Sequence, residues 1–284
     1  MHPVFLIPLL LFPNSGPEPA ESQLAVVDAG VQASEDAPFA AADYRFLPGD
    51  YVYFTFQVAG FKIKSEQRDE VHRIALSYEI TPEDSKGVAL APPETDRILT
   101  DLSPEDKNWL PKRRVSFMLP SFITSGDYRI HVAVDDIFGK AAAAADFPFR
   151  VGGEKMEPSP TLTVENFGFL RSENDREALK VAAFRPGDTV YARFEMVGYR
   201  LGPKNSYRLS YGLTVLRPDG KPFFQQPKAA ELQSDSYYPA QFLPGEINLT
   251  TTPDTSRGEY VLVLTVHDVT GNQSYETRQA FSVE

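Results

Sequence analysis

The chain repeats itself, and that limits what it can fold into. Phe46-Leu-Pro-Gly-Asp-Tyr-Val-Tyr, closed by Gly60-Phe61, returns 138 positions later as Phe184-Arg-Pro-Gly-Asp-Thr-Val-Tyr, closed by Gly198-Tyr199. Gly126-Asp-Tyr-Arg-Ile-His-Val-Ala-Val-Asp-Asp-Ile-Phe-Gly139 returns 132 positions later as Gly258-Glu-Tyr-Val-Leu-Val-Leu-Thr-Val-His-Asp-Val-Thr-Gly271. The change of offset places a net loss of six residues inside the second copy. A unit repeated once at this length predicts two domains of one architecture. With 284 residues, each copy is long enough to close its own core. The organisation expected is a leader over 1–21, a first domain over 22–151, a linker over 152–159 and a second domain over 160–284.

Within each copy the apolar residues alternate. Val52, Phe54, Phe56 and Val58 interleave with Tyr51, Tyr53, Thr55 and Gln57; Val190, Ala192, Phe194 and Met196 interleave with Thr189, Tyr191, Arg193 and Glu195. A period of two predicts half-buried antiparallel strands, with Thr189, Tyr191, Arg193 and Glu195 together on the face opposite the apolar one. The same alternation runs through Ile74–Ile80 and Leu209–Val215, through Val115, Phe117 and Leu119, and through Ile247 and Leu249. It is strongest at Tyr128–Val134 and Tyr260–Val266. Short first strands are expected at Leu24–Val27 and Leu162–Glu165, and final strands ending at Val151 and Val283. Pro148 has no amide to donate, so the final strand of the first copy belongs at an edge or a bulge. Six to eight short strands per copy with turn signals between them predict all-β, two-sheet antiparallel sandwiches.

The Gly-x-Tyr strand with its Asp-x-x-Gly turn resembles the penultimate strand and last hairpin of bacterial surface Ig-like modules, including the polycystic-kidney-disease type. Phe-x-Pro-Gly-Asp-x-Val resembles the second strand of macroglobulin-like sandwiches. The resemblance implies tandem Ig-like domains, with Tyr128 and Tyr260 as tyrosine corners. It implies no active site.

The composition narrows the chemistry. A net charge of −11 argues against nucleic acid and anionic membrane as general partners, since both are polyanions. Without cysteine there are no disulfides, thiolate metal sites or Cys nucleophiles. Val4–Phe12 is an apolar run of nine, the length of the apolar region of a secretory signal and too short to span a bilayer. No Lys or Arg precedes it, and no small-x-small cleavage site follows. An extracytoplasmic protein, periplasmic or secreted, is the expectation.

No nucleophile elbow, zinc-protease helix, phosphate loop or dinucleotide fingerprint occurs in the sequence. His131 and His267 fall out of phase with the core of their strands, in different domains. Asp127 and Asp135 lie too far apart along one strand to share a calcium ion, and Asp136 and Asp268 are expected to close their hairpin turns instead. No catalytic residue, metal ligand or cofactor is therefore expected.

The two copies differ most between their third and fifth strands. There Ala91–Arg114 carries Trp109, and Phe223–Phe242 carries Tyr237, Tyr238 and Phe242. Aromatic residues on loops are common interface anchors. Trp109, Tyr237, Tyr238 and Phe242 are accordingly candidate partner-binding residues, with capping of an open sandwich end as the alternative. The reading is a non-catalytic interaction or structural module whose partner is another protein or a cell-surface polymer. A carbohydrate- or other ligand-binding module and an accessory subunit of an enzyme are the rivals.

Overall fold

The computed structural model describes residues 23–66, 71–103, 106, 109–175 and 177–284. The leader expected over 1–21, with its apolar run, lies outside the described residues. The first sandwich pairs a three-stranded sheet, ordered β1 (Ala25–Gln32), β2 (Tyr51–Ala59) and β6 (Lys112–Met118), with a larger one. The larger sheet runs β5 (Glu94–Leu102), β4 (Val71–Asp84), β7 (Gly126–Asp136) and β8 (Ala141–Val151), with the short β3 (Lys64–Glu66) also against β4. The second sandwich repeats this order. Its small sheet is β9 (Thr163–Leu170), β11 (Thr189–Val197) and β14 (Leu243–Thr250). Its large sheet is β13 (Pro222–Ser234), β12 (Tyr207–Leu216), β15 (Gly258–Asp268), β16 (Gln273–Val283) and β10 (Ala183–Phe184).

The alternation read from sequence becomes the core. Val52, Phe54, Phe56 and Val58 are wholly buried, and so are Val190, Phe194 and Met196. The duplication extends to ring geometry. Phe56 meets Tyr78 edge-on at 5.4 Å across the sheets of one sandwich, and Phe194 meets Tyr211 at 5.2 Å in the other. Tyr128 stacks on Phe149 at 5.9 Å, and Tyr260 on Phe281 at 5.6 Å. Phe46 and Phe184 close the pattern edge-on to Phe149 and Phe281. Such pairs add roughly 0.5–1.5 kcal/mol beyond the area they bury. Both tyrosine corners form: Tyr128 donates to the Thr124 carbonyl at 2.8 Å and Tyr260 to the Ser256 carbonyl at 2.7 Å.

Asp136 and Asp268 close their turns as expected and also do more. One oxygen of each accepts the amide of Gly139 or Gly271, both at 2.9 Å. The other accepts the amide of Lys62 at 2.6 Å or Arg200 at 2.8 Å, tying the last hairpin to the loop after β2 or β11. A Cβ on Gly139 or Gly271 would lie 2.3 Å from that second oxygen, so glycine is required.

Three differences from the sequence reading have physical causes. β1 and β9 run several residues beyond Val27 and Glu165, because Asp28 and Asn166 take positive φ and make a bulge that breaks the alternation. The divergent segments each contain an edge strand, β5 and β13. Their faces are mostly exposed, so they lack the apolar period. Glu195 is 7% exposed rather than on an open face. The segment joining the sandwiches lies over that side of β11: Met156 is buried, Asn166 donates to its sulfur, and Glu157 donates its amide to Glu165. Pro148 sits on β8, an edge strand, where its missing amide disrupts no ladder.

Candidate functional site

The segment between β13 and β14, Asp235–Phe242, leaves its own sandwich and meets the first one. Asn205 pins its start, donating to the carbonyls of Ser236 at 3.2 Å and Tyr237 at 2.7 Å. Tyr199 pins its end, donating to the Ala240 carbonyl at 2.7 Å. Between these points Tyr238 is thrown outward. Its ring is 3% exposed and packs with the core of the first sandwich, not its own.

The Tyr238 hydroxyl is fully used. It donates to Asp84 Oδ2 at 2.9 Å and accepts from Gln241 Nε2 at 2.6 Å. Asp84 Oδ1 is held by the amides of Lys86 and Val88, both at 2.8 Å. Gln241 Oε1 accepts from the Thr124 amide at 2.8 Å and hydroxyl at 2.7 Å, and the Gln241 amide donates to the Phe122 carbonyl at 2.9 Å. Phe122 and Phe242 meet edge-on at 6.1 Å. Burial, and next the adjoining Asp84 carboxylate, push the Tyr238 phenol well above its ordinary range, so it stays a donor throughout the physiological window. The tyrosine corner feeds this network, because Tyr128 fixes the turn that presents Thr124.

Beside the network is a cleft of about 370 Å³ between the sandwiches, with Asp84, Lys86, Ser125, Tyr128, Met156 and Gln241 among its lining residues. Its walls come from both sandwiches and the connecting segment, so its shape depends on how the two halves are held.

The four aromatics singled out from sequence do not form one patch. Tyr238 is buried at the junction and Phe242 is half-buried against Phe122, so both are engaged within the chain. Tyr237 is 54% exposed next to the junction, and Trp109 is 38% exposed on the segment between β5 and β6. The network partners Asp84, Thr124 and Gln241 carried no sequence signal, because each is polar, local in appearance and paired with residues far along the chain. His131 and His267 lie on outer faces, bonded to Asp146 and Ser274. Among the described residues no group of three or more His, Asp or Glu is arranged to hold a metal, and no helix is long and apolar enough to cross a membrane.

No protein-family model matches the chain, and no curated protein sequence matches it. Among solved structures, the C-terminal domain of the Streptococcus agalactiae AgI/II polypeptide BspA is similar at 13% identity and a TM-score of 0.30, over 90% of this chain and 99% of that one. The C-terminal domain of the Streptococcus pyogenes antigen I/II-family protein AspA is similar at 11% identity and a TM-score of 0.30, over 92% and 99%. Dimeric latent PorU from Porphyromonas gingivalis is similar at 14% identity and a TM-score of 0.25, over 93% of this chain and 21% of that one. At these TM-scores the likeness stops at β-rich architecture, and no partner or activity passes from them to this chain.

Proposed function

We propose that this protein is a non-catalytic, extracytoplasmic interaction or structural module, in which two Ig-like sandwiches over 22–151 and 160–284 act as one body. The observation that carries this reading is Tyr238, a residue of the second sandwich buried in the core of the first and bonded to its Asp84. Short linkers alone leave neighbouring domains free to swing. A buried aromatic with its polar atoms satisfied on the partner domain holds them in one relation, which suits a protein that presents a fixed surface rather than one that closes on a substrate. Trp109 and Tyr237, exposed on loops of the two sandwiches, are the anchors proposed for a protein or polymer partner.

The test is photo-crosslinking in intact cells, with the crosslinking amino acid in place of Tyr237 or Trp109 in the full exported chain. A discrete protein adduct that disappears when the crosslinker is moved to exposed Lys155 supports the reading. Retention on an insoluble polysaccharide, lost in Tyr237→Ala, supports the carbohydrate-binding alternative. The absence of both adduct and retention sinks the interaction assignment.

A further inference from the structure

Glu195 occupies an unusual place. It stands on the outward side of β11, opposite Glu165 of β9, yet it is 7% exposed and, among the described residues, its Oε2 has no hydrogen-bond partner. The corresponding residue of the first sandwich is Gln57, which donates to Asp28 at 3.0 Å. In the second sandwich the pair is exchanged: the carboxyl is at 195 and the amide, Asn166, faces it. What covers Glu195 also differs, because the segment joining the sandwiches crosses here. Glu154 gives its carbonyl to the Ser125 amide of the first sandwich at 3.0 Å, while Glu157 and Met156 attach to Glu165 and Asn166 of the second.

We propose that Glu195 is a proton-operated latch on the joining segment: neutral, it lets residues 154–157 lie across β9 and β11; ionised, it repels them. Glu165 of β9 stands opposite Glu195 in register, and the exposed Glu154 carboxylate of the segment acts on it through space. Among the described residues, Arg193 of its own strand is the cation that acts on Glu195, and it is drawn away by Glu246 at 3.2 Å and the Glu173 carbonyl at 3.1 Å. Lys155 and Glu157 pair with each other at 3.4 Å in solvent. Among the described residues Asn166 and Arg193 are what offset an ionised Glu195, and a charge buried beside like charges is an arrangement that proteins relieve by protonation or by opening. Burial, and next Glu154, raise its carboxyl from 4.5 to about 7, while the Asn166 bond and Arg193 offset part of this and Glu165 adds to it. Opening the segment loosens one wall of the cleft and the segment's own bond to the first sandwich at Ser125. The tie through Tyr238 remains.

The chain has no cysteine, so one nitroxide label at Lys155→Cys reports cleanly on the segment in the full protein. Electron paramagnetic resonance between pH 5 and 9 is expected to show the mobile fraction rising severalfold, with a midpoint near neutrality. In the background of Glu195→Gln the label is expected to stay immobile across the range. Circular dichroism at each pH separates release of the segment from unfolding of the chain. A flat profile in the native background overturns the latch. So does the same transition in Glu195→Gln, or mobility that rises only where the strand signal is lost.

Discussion

A single hydroxyl shows how much one polar atom carries at the junction. Tyr238→Phe keeps the ring but leaves Asp84 Oδ2 and Gln241 Nε2 without their shared partner. A loss of about 1–3 kcal/mol is expected, read as a lower urea midpoint at pH 7 with an unchanged slope. Glu195 acts in the opposite sense. Its folded value of about 7 lies above the 4.5 of an unperturbed glutamate, so the folded chain keeps a proton that the unfolded chain has released. Its contribution to stability is therefore full below pH 4.5, declines as pH rises to about 7, and is level beyond. Over that interval the decline from this group is about 3 kcal/mol. Glu195→Gln should remove the slope and make the protein more stable than the native chain at pH 8 while leaving it close to native at pH 4.5. Denaturant titrations at the two pH values check this.

Elements are tied together by the same few devices in both copies. Asp136 and Asp268 are buried acids whose two oxygens serve different elements, a hairpin turn and the loop after the second strand of the small sheet. Asp268→Ala strands the amides of Gly271 and Arg200, and a loss of about 2–4 kcal/mol in thermal or chemical stability is expected. The tyrosine corners are milder, since each supplies one bond to a carbonyl. Tyr260→Phe is expected to lower stability by about 0.5–1.5 kcal/mol. Tyr128→Phe should have a larger effect than its counterpart, because its corner also positions Thr124 against Gln241. Comparing the two midpoints tests that asymmetry directly.

At the scale of the molecule the question is whether two sandwiches behave as one. With Tyr238 seated and Gln241 bonded across the junction, the native chain is expected to unfold in a single calorimetric transition. Tyr238→Ala combined with Gln241→Ala removes the ring and the bridging amide together. The expected result is two resolved transitions and a broader small-angle scattering distance distribution, with each sandwich retaining its strand signal. One unaltered transition in this variant would show that the joining segment alone couples the halves.

The sequence by itself determined the sandwiches. In a strand, facing is decided by position modulo two, so Val52 through Val58 and their counterparts from Val190 declare their core side locally, as the repeated turns declare the strand ends. The closing of turns by Asp136 and Asp268 was equally legible, since those partners lie three residues away. Only the tertiary structure decided what covers each outer face and each loop. Tyr238 meets Asp84 across 154 positions, and Asp136 meets Lys62 across 74. Glu195 reads as solvated until the joining segment is laid over it. Such contacts leave no period in the chain, because they follow from how one finished surface meets another, and an exposed aromatic and a buried plug look alike in sequence until that meeting occurs.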